Sequence, residues 1–455
     1  MKILILGAGQ VGTLLANHLS SGQHQITLID EDANCLEKIL EKLDVRTLTG
    51  NGVYPEILAQ ADAETADLLL AVTGKDETNM LACQIAHTLF NIPYKIARVR
   101  AREFITYPDL FHPESLPIDH VISPETIVAK NITRIITHPG TSKVFRLGNG
   151  NISMIKTKIT LGSAWTNTPF YELQQTLQNE DSKIIAIYRN GKVISAPAIK
   201  MLEADDEAYV LVYTNNISKI THATRQFERD YRRIIIAGGG NIGSQIAKAL
   251  EKEYHVKIIE HNPKKITTLT NFLENVIILE GDVTDKDLLI EENIENCDVF
   301  CAVTNKDETN IMAAMLAKRL GAYRVIASIS RTTFADMAQG SEIDVVFSPP
   351  RSTLGSLLPF VRAGNIHNIH FLGGDQEELI ELQVTDHPKD YFLNKTPDQL
   401  KLPAALHFCG LYRNGRIYFT DFPAIQPLDH LLFLTTQINA VTELEKLLIP
   451  KPCRN

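Results

Sequence analysis

Two tandem α/β domains with parallel sheets, each followed by a small α+β domain, are what the sequence predicts. Three observations carry the expectation. A glycine-rich segment, Gly7-Ala8-Gly9-Gln10-Val11-Gly12, returns as Gly238-Gly239-Gly240-Asn241-Ile242-Gly243, shifted by 231 residues (7 to 238). The same shift relates Ala71-Val72-Thr73 to Ala302-Val303-Thr304, and Lys75-Asp76-Glu77-Thr78-Asn79 to the identical Lys306-Asp307-Glu308-Thr309-Asn310. A fixed period shared by motifs this far apart marks duplication of a whole unit. Finally, apolar runs alternate with helical patterns in each copy, as in βαβ units whose strands pair in parallel.

The elements follow in order. Apolar runs at 2–6 and 234–237 are the first strands, each ending in the glycine-rich turn and a helix. Second strands follow at 26–29 and 256–259, and later ones at 68–72 and 299–303, each leading into a further helix. From about Val144 and Ile369 the pattern changes to short strands. There Tyr188-Arg189-Asn190-Gly191 recurs as Tyr412-Arg413-Asn414-Gly415, and Asn-Gly between strands signals a tight hairpin. These limits divide the chain into residues 1–140, 141–228, 229–365 and 366–455, with the charged stretch 225–233 joining the halves.

Composition narrows the function. At 455 residues the chain exceeds one core, and 44% hydrophobic with 22% charged residues is a globular balance. A net charge of -9 supplies no basic footprint for nucleic acid. The sequence offers no run of the roughly 18 apolar residues a spanning helix needs, and its first apolar run is too short for a signal peptide, so a cytoplasmic protein is expected. Cys35, Cys83, Cys297, Cys301, Cys409 and Cys453 form no disulfide or zinc spacing and are expected to be reduced thiols.

The repeated glycines carry the chemistry. Gly7 and Gly238 permit a tight turn after the strand, Gly9 and Gly240 let a pyrophosphate approach the backbone, and Gly12 and Gly243 let helix and strand pack closely. Asp30 and Glu260, ending the second strands, suit the ribose hydroxyls of an adenosine and repel a 2′-phosphate. Both units are thus Rossmann-like nucleotide-binding domains. Asn51, Asp282, Thr73 and Thr304 follow later strands on the same edge, where they would line the cleft, although Thr73 or Asp76 also suits a helix cap. Arg98 and Arg100 could pair with phosphates; they align with Ser328 and Ser330, which makes the second site different. An NAD-dependent dehydrogenase would use the same fold, but it needs an acid/base beside the nicotinamide. The candidates His112, His120 and His138 have no counterpart in the second half, and the remaining length goes into another nucleotide domain.

Taken together, these residues resemble the TrkA family, cytosolic subunits of bacterial Trk potassium-uptake systems that carry two tandem RCK (or KTN) units. The resemblance implies two RCK N-terminal Rossmann domains, each with a small RCK C-terminal domain, in a regulator that is no enzyme. It implies NAD(H) as ligand, with ATP or ADP as alternatives at one or both units. Family ligand positions fall on Gly7, Ala8, Gly9, Gln10, Val11, Asp30, Asn51, Thr73, Gly74 and Arg98, and the fingerprint of the second unit on Gly239, Gly240, Asn241, Ile242, Gly243 and Glu260. The implied partner is a membrane-embedded Trk potassium-transport subunit, which would hold the protein at the inner face of the membrane; a nucleotide-gated regulator of a different channel or exchanger keeps the same sites. RCK units pair and gather into rings of eight, so a two-unit chain implies a homotetramer. The segments after Ser123-Pro124 and Ser348-Pro349, with Val128, Ile132, Ile135 and Ile136 at helical spacing, resemble the crossover helices by which paired RCK units exchange contacts.

Overall fold

Strands that read as unbroken apolar runs need cover on both faces. The computed structural model, which describes residues 1–20, 24–225, 229–338, 340–362, 364–373, 377–387 and 390–448, gives them that cover. In the first half β1 (Lys2–Leu6), β2 (Gln25–Asp30), β3 (Arg46–Thr49), β4 (Leu68–Ala71), β5 (Tyr94–Arg98) and β6 (His120–Ile122) form a parallel sheet in the order β3-β2-β1-β4-β5-β6. Chain order reverses between β1 and β4. A crevice therefore opens above their carboxyl ends, where ligands bind in such sheets.

A second sheet follows, antiparallel and ordered β10-β9-β11-β8-β7, from β7 (Thr141–Leu147), β8 (Ile152–Lys158), β9 (Ser182–Arg189), β10 (Lys192–Ser195) and β11 (Glu207–Tyr213). The second half repeats both. Its parallel sheet is β14-β13-β12-β15-β16-β17, built from β12 (Arg233–Ala237), β13 (His255–Glu260), β14 (Val276–Glu280), β15 (Val299–Ala302), β16 (Arg324–Ser328) and β17 (Val345–Phe347). Its small sheet, β18-β19-β22-β20-β21, joins β18 (Ile366–Phe371), β19 (Glu378–Gln383), β20 (Leu406–Arg413), β21 (Arg416–Tyr418) and β22 (His430–Thr435) with the same connectivity. Both Asn-Gly turns have positive φ at both central residues, +50° and +80° at Asn190 and Gly191, +48° and +86° at Asn414 and Gly415. That is the type I′ geometry that matches strand twist.

The halves diverge between the second and third strands of their small domains. The first places the helix Phe170–Asn179 there. In the second the aligned Thr396-Pro397 opens only the single turn Pro397–Gln399, the backbone being extended already at Leu400. The expected junction is partly visible: the helix Ile217–Thr224 ends before it and β12 begins at Arg233, while residues 226–228 lie outside the described residues.

What ties the halves together is an exchange. The first crossover helix, Pro124–Thr137, packs on Asn241–Leu250, the glycine-rich-turn helix of the second unit; its buried Val128, Ile132 and Ile136 share a core with Ile246, Ala247 and Leu250. Reciprocally, Pro349–Val361 packs on Gln10–Ser20 of the first unit, joining Leu354, Leu357 and Leu358 to Leu15 and Leu19. The two small sheets pack on one another through residues such as Met154, Leu211, Tyr412 and Leu432. One chain is thus an internal pair of units. Among the described cysteines Cys83, Cys297, Cys301 and Cys409 are buried free thiols and Cys35 is half-buried; burial pushes Cys83 and Cys297 up to about 12. Cys453 lies outside the described residues. Among the described residues no helix is long and apolar enough to cross a membrane.

Candidate functional site

The turn after β1 is set by Gly7, whose φ of +107° an L side chain rarely adopts, and by Gly12, where an added Cβ would stand 1.9 Å from the Gly7 carbonyl oxygen. Gly238 and Gly243 repeat both features, with φ of +109° and the same 1.9 Å. Helix and strand therefore lie too close for any side chain. Gly9 and Gly240 have no atom within 4 Å of their Cβ positions, so open space lies over the helix start, as a pyrophosphate approaching backbone N–H groups requires.

Both glycine-rich turns open onto one shared cavity of about 1280 Å³, to which the carboxyl edges of both sheets contribute a wall. Gly7, Gly9, Gln10, Val11, Asp30, Asn51, Thr73, Gly74 and Arg98 line it from the first unit. Gly238, Gly240, Asn241, Ile242, Glu260, Asp282 and Thr304 do so from the second. Ala8 and Gly239 contribute backbone only: the Ala8 N–H donates to Asp30 Oδ2 at 2.5 Å, and the Gly239 N–H to Glu260 Oε2 at 2.9 Å. Each acid thereby fastens its turn to the second strand. A carboxylate has about four acceptor positions, so capacity remains for ribose hydroxyls. The acids differ in setting, since Glu260 is buried and also accepts from the His261 and Asn262 N–H groups, whereas Asp30 is half-buried and accepts from Asp32.

The identical Lys-Asp-Glu-Thr-Asn segments prove to be clamps. Asn79, fully buried, accepts from the Thr73 N–H and hydroxyl at 2.9 and 2.7 Å and donates to the Arg98 carbonyl at 2.9 Å. Asn310 repeats this on Thr304 and Ser328 at 2.8, 2.6 and 2.7 Å. Asp76 receives the Arg100 and Ala101 N–H groups, and Asp307 those of Ser330 and Arg331. These residues lock the ends of β4 and β5, and of β15 and β16, at fixed separation. The expected helix cap is corrected here. Lys75 holds the N-cap position without a side-chain bond, while the Thr73 hydroxyl bonds to Lys75 and Asn79 at the helix start and Asp76 is committed to the segment after β5. The signal was present in the exact repetition, which served only to show duplication.

The two arginines separate. Arg98 faces the cavity and pairs with Glu125 at 3.0 Å, both side chains about four-fifths buried; Arg98 Nε and Glu125 Oε2 have no protein hydrogen-bond partner. Arg100 is turned out of the cavity wall, held by Asp76 and the Gly74 carbonyl, so the phosphate contact expected of it does not match its position. Its backbone carbonyl instead accepts from Asn241 Nδ2 of the other unit at 3.3 Å. In the second unit Ser328 and Pro350 stand where the first has Arg98 and Glu125, so the charged pair belongs to one wall alone.

Comparison with known proteins gives the arrangement a context. The TrkA-N domain model matches residues 3–124 and 234–349, covering both parallel sheets. The chain is 41% identical over 449 residues to the Trk system potassium uptake protein TrkA of Halomonas elongata, spanning 98% of each, and 38% identical to that of Vibrio alginolyticus over 99% of each. A solved structure of the GsuK channel bound to NAD is similar in fold, with a TM-score of 0.61 at 17% identity over 98% of this chain and 78% of that one.

Proposed function

Because the chain belongs to the TrkA family, and is accordingly a non-enzymatic regulatory subunit of potassium uptake, we propose that it reads NAD(H), and ATP or ADP at one or both units, and conveys the bound state to a membrane-embedded Trk potassium-transport subunit. One observation carries the reading: two glycine-rich turns, each with an acid on the neighbouring strand, open onto a single cavity. A ligand on one turn therefore lies against a wall supplied by the other unit.

In this scheme the N–H groups at the starts of Gln10–Ser20 and Asn241–Leu250 receive the pyrophosphate. Asp30 and Glu260 orient the adenosine ribose, with Asn51, Asp282, Thr73, Thr304 and Gly74 around it. Arg98, already half neutralised by Glu125, meets whatever lies beyond the shared adenosine. Discrimination among nucleotides thus falls to the interunit space. Since one chain already holds a pair of units, four chains would complete a ring of eight, seated on the inner face of the membrane through the transport subunit.

Calorimetric titration of the full chain with NADH, NAD, ATP and ADP, alone and with the purified potassium-transport subunit, tests ligand and partner together. Saturable binding of at least one of them, with an affinity changed by the transport subunit, is expected. Binding of none would overturn the sensor, and affinities indifferent to the transport subunit would point to another channel or exchanger.

A further inference from the structure

A second cavity, of about 420 Å³, lies between the two crossover helices and is closed by β7 and β18. It shares no lining residue with the nucleotide cavity. Four cationic side chains reach its walls: Lys130 and Arg134 from Pro124–Thr137, Lys143 from β7, and Arg351 from Pro349–Val361. Among the described lining residues there is no aspartate or glutamate. Arg351 pairs with the exposed Asp336 at 3.0 Å. Lys143 Nζ donates to the Phe371 and Leu372 carbonyls, and Arg134 Nη1 reaches Asn131 Oδ1 at 3.4 Å, all neutral partners.

Polar capacity in the walls is also unspent. Ser348 is 8% exposed and occupies the N-cap position of Pro349–Val361, yet its Oγ is buried without a hydrogen-bond partner. His370 Nε2 is likewise buried and unpartnered. Buried polar atoms in this state are rare and destabilising, and each fits a ligand atom. Burial, with Lys156 and Arg351 close by, holds the Lys143 ammonium down to about 7 against the opposing pull of Glu207 and Glu377, and burial, with Arg134 and Lys143 beside it, holds His370 down to about 4 against the pull of Glu381.

The duplication shows that this is no leftover of symmetric packing. At the shift of 225 residues that relates Ser123-Pro124 to Ser348-Pro349 (123 to 348), Lys130 and Arg134 correspond to Gly355 and Pro359, which line the same cavity. One unit supplies charge and the other supplies room. We propose that this cavity binds a multivalent oxyanion of the pyrophosphate type, free or carried by a small phosphate ester, held by Lys130, Arg134, Lys143 and Arg351 with Ser348 and His370 donating the remaining bonds. At about 420 Å³ it has the volume of ordinary small-molecule sites. Because its walls come from both crossover helices, an occupant ties the two units together at a cavity separate from that of the glycine-rich turns.

The test is calorimetric titration of inorganic pyrophosphate, and separately of a sugar bisphosphate, into the full chain at low salt, with and without saturating NADH. Saturable binding that persists under NADH is expected. Arg134→Gln and Lys143→Met should each weaken it by about tenfold or more, the loss of one charge-assisted hydrogen bond, with a smaller loss in Lys130→Gln. Lys130 is exposed, so that last variant keeps the fold if the buried ones do not. Preference between the two probes separates free anion from ester. No binding of either probe to the wild type, affinity unchanged in all three variants, or binding abolished by NADH would overturn the proposal.

Discussion

Asp30 and Glu260 each hold the backbone of a glycine-rich turn while presenting a carboxylate to the cavity. Asp30→Ala is therefore expected to weaken adenine-nucleotide binding at the first turn by about 1–3 kcal/mol, the worth of charged hydrogen bonds, while leaving the fold intact. Calorimetry checks this, and unchanged affinity for every adenine nucleotide would remove the assignment. Asn79 acts differently. Removing its amide leaves the Thr73 N–H and the Arg98 carbonyl without partners at a buried site, so Asn79→Ala should destabilise by about 1–3 kcal/mol and lower the thermal midpoint. The two residues also differ in how far the sequence reveals them. An acid at the end of the second strand announces itself by position, because the strand and the turn fix where it lies. Asn79 is useful only because β4 and β5 end side by side, a tertiary fact that local spacing does not contain. Arg100 illustrates the converse: alignment put it at the strand end, but the nearby Asp76 carboxylate draws its guanidinium away from the cavity.

Elements were legible where a local rule dictates them. Unbroken apolar runs gave the parallel strands, and Asn-Gly gave the hairpins, since few other residue pairs tolerate two positive φ values. Helical spacing at Val128, Ile132, Ile135 and Ile136 also located a helix with an apolar face. Periodicity says that such a face must be covered, not by what; the family resemblance implied an exchange between paired units, and the structure shows each crossover helix covering the other unit of the same chain. This exchange makes Ile132 a bond between halves. Truncating a fully buried isoleucine destabilises by about 2–5 kcal/mol, through lost transfer energy and the cavity left behind. Ile132→Ala should accordingly lower the denaturant midpoint and loosen the second unit's glycine-rich-turn helix along with the first unit, measurable as faster amide exchange in residues 241–250. Faster exchange confined to the first unit would contradict the exchange of contacts.

At the scale of the whole molecule the two turns face one cavity but are not equal, since Arg98 and Glu125 line one wall where Ser328 and Pro350 line the other. A ligand that shifts transport must bind the active arrangement more tightly than the resting one, because equal affinity for both shifts nothing. Under the proposed scheme nucleotides sharing an adenosine would make the same contacts with the turn and its acid, so a difference in their effects would arise from the parts they do not share. In the proposed binding mode those parts at the first turn meet the wall where Arg98 offers a cation and Glu125 an opposing charge at 3.0 Å. Arg98→Ala would leave the Glu125 carboxylate uncompensated beside any phosphate at the first turn and leave the second turn untouched. The expected outcome is a protein that still binds an adenine nucleotide, yet whose activating and inactivating nucleotides no longer differ in the potassium flux they support in liposomes containing the transport subunit. A full nucleotide response in that variant would show that the units communicate through the crossover helices or the small sheets instead.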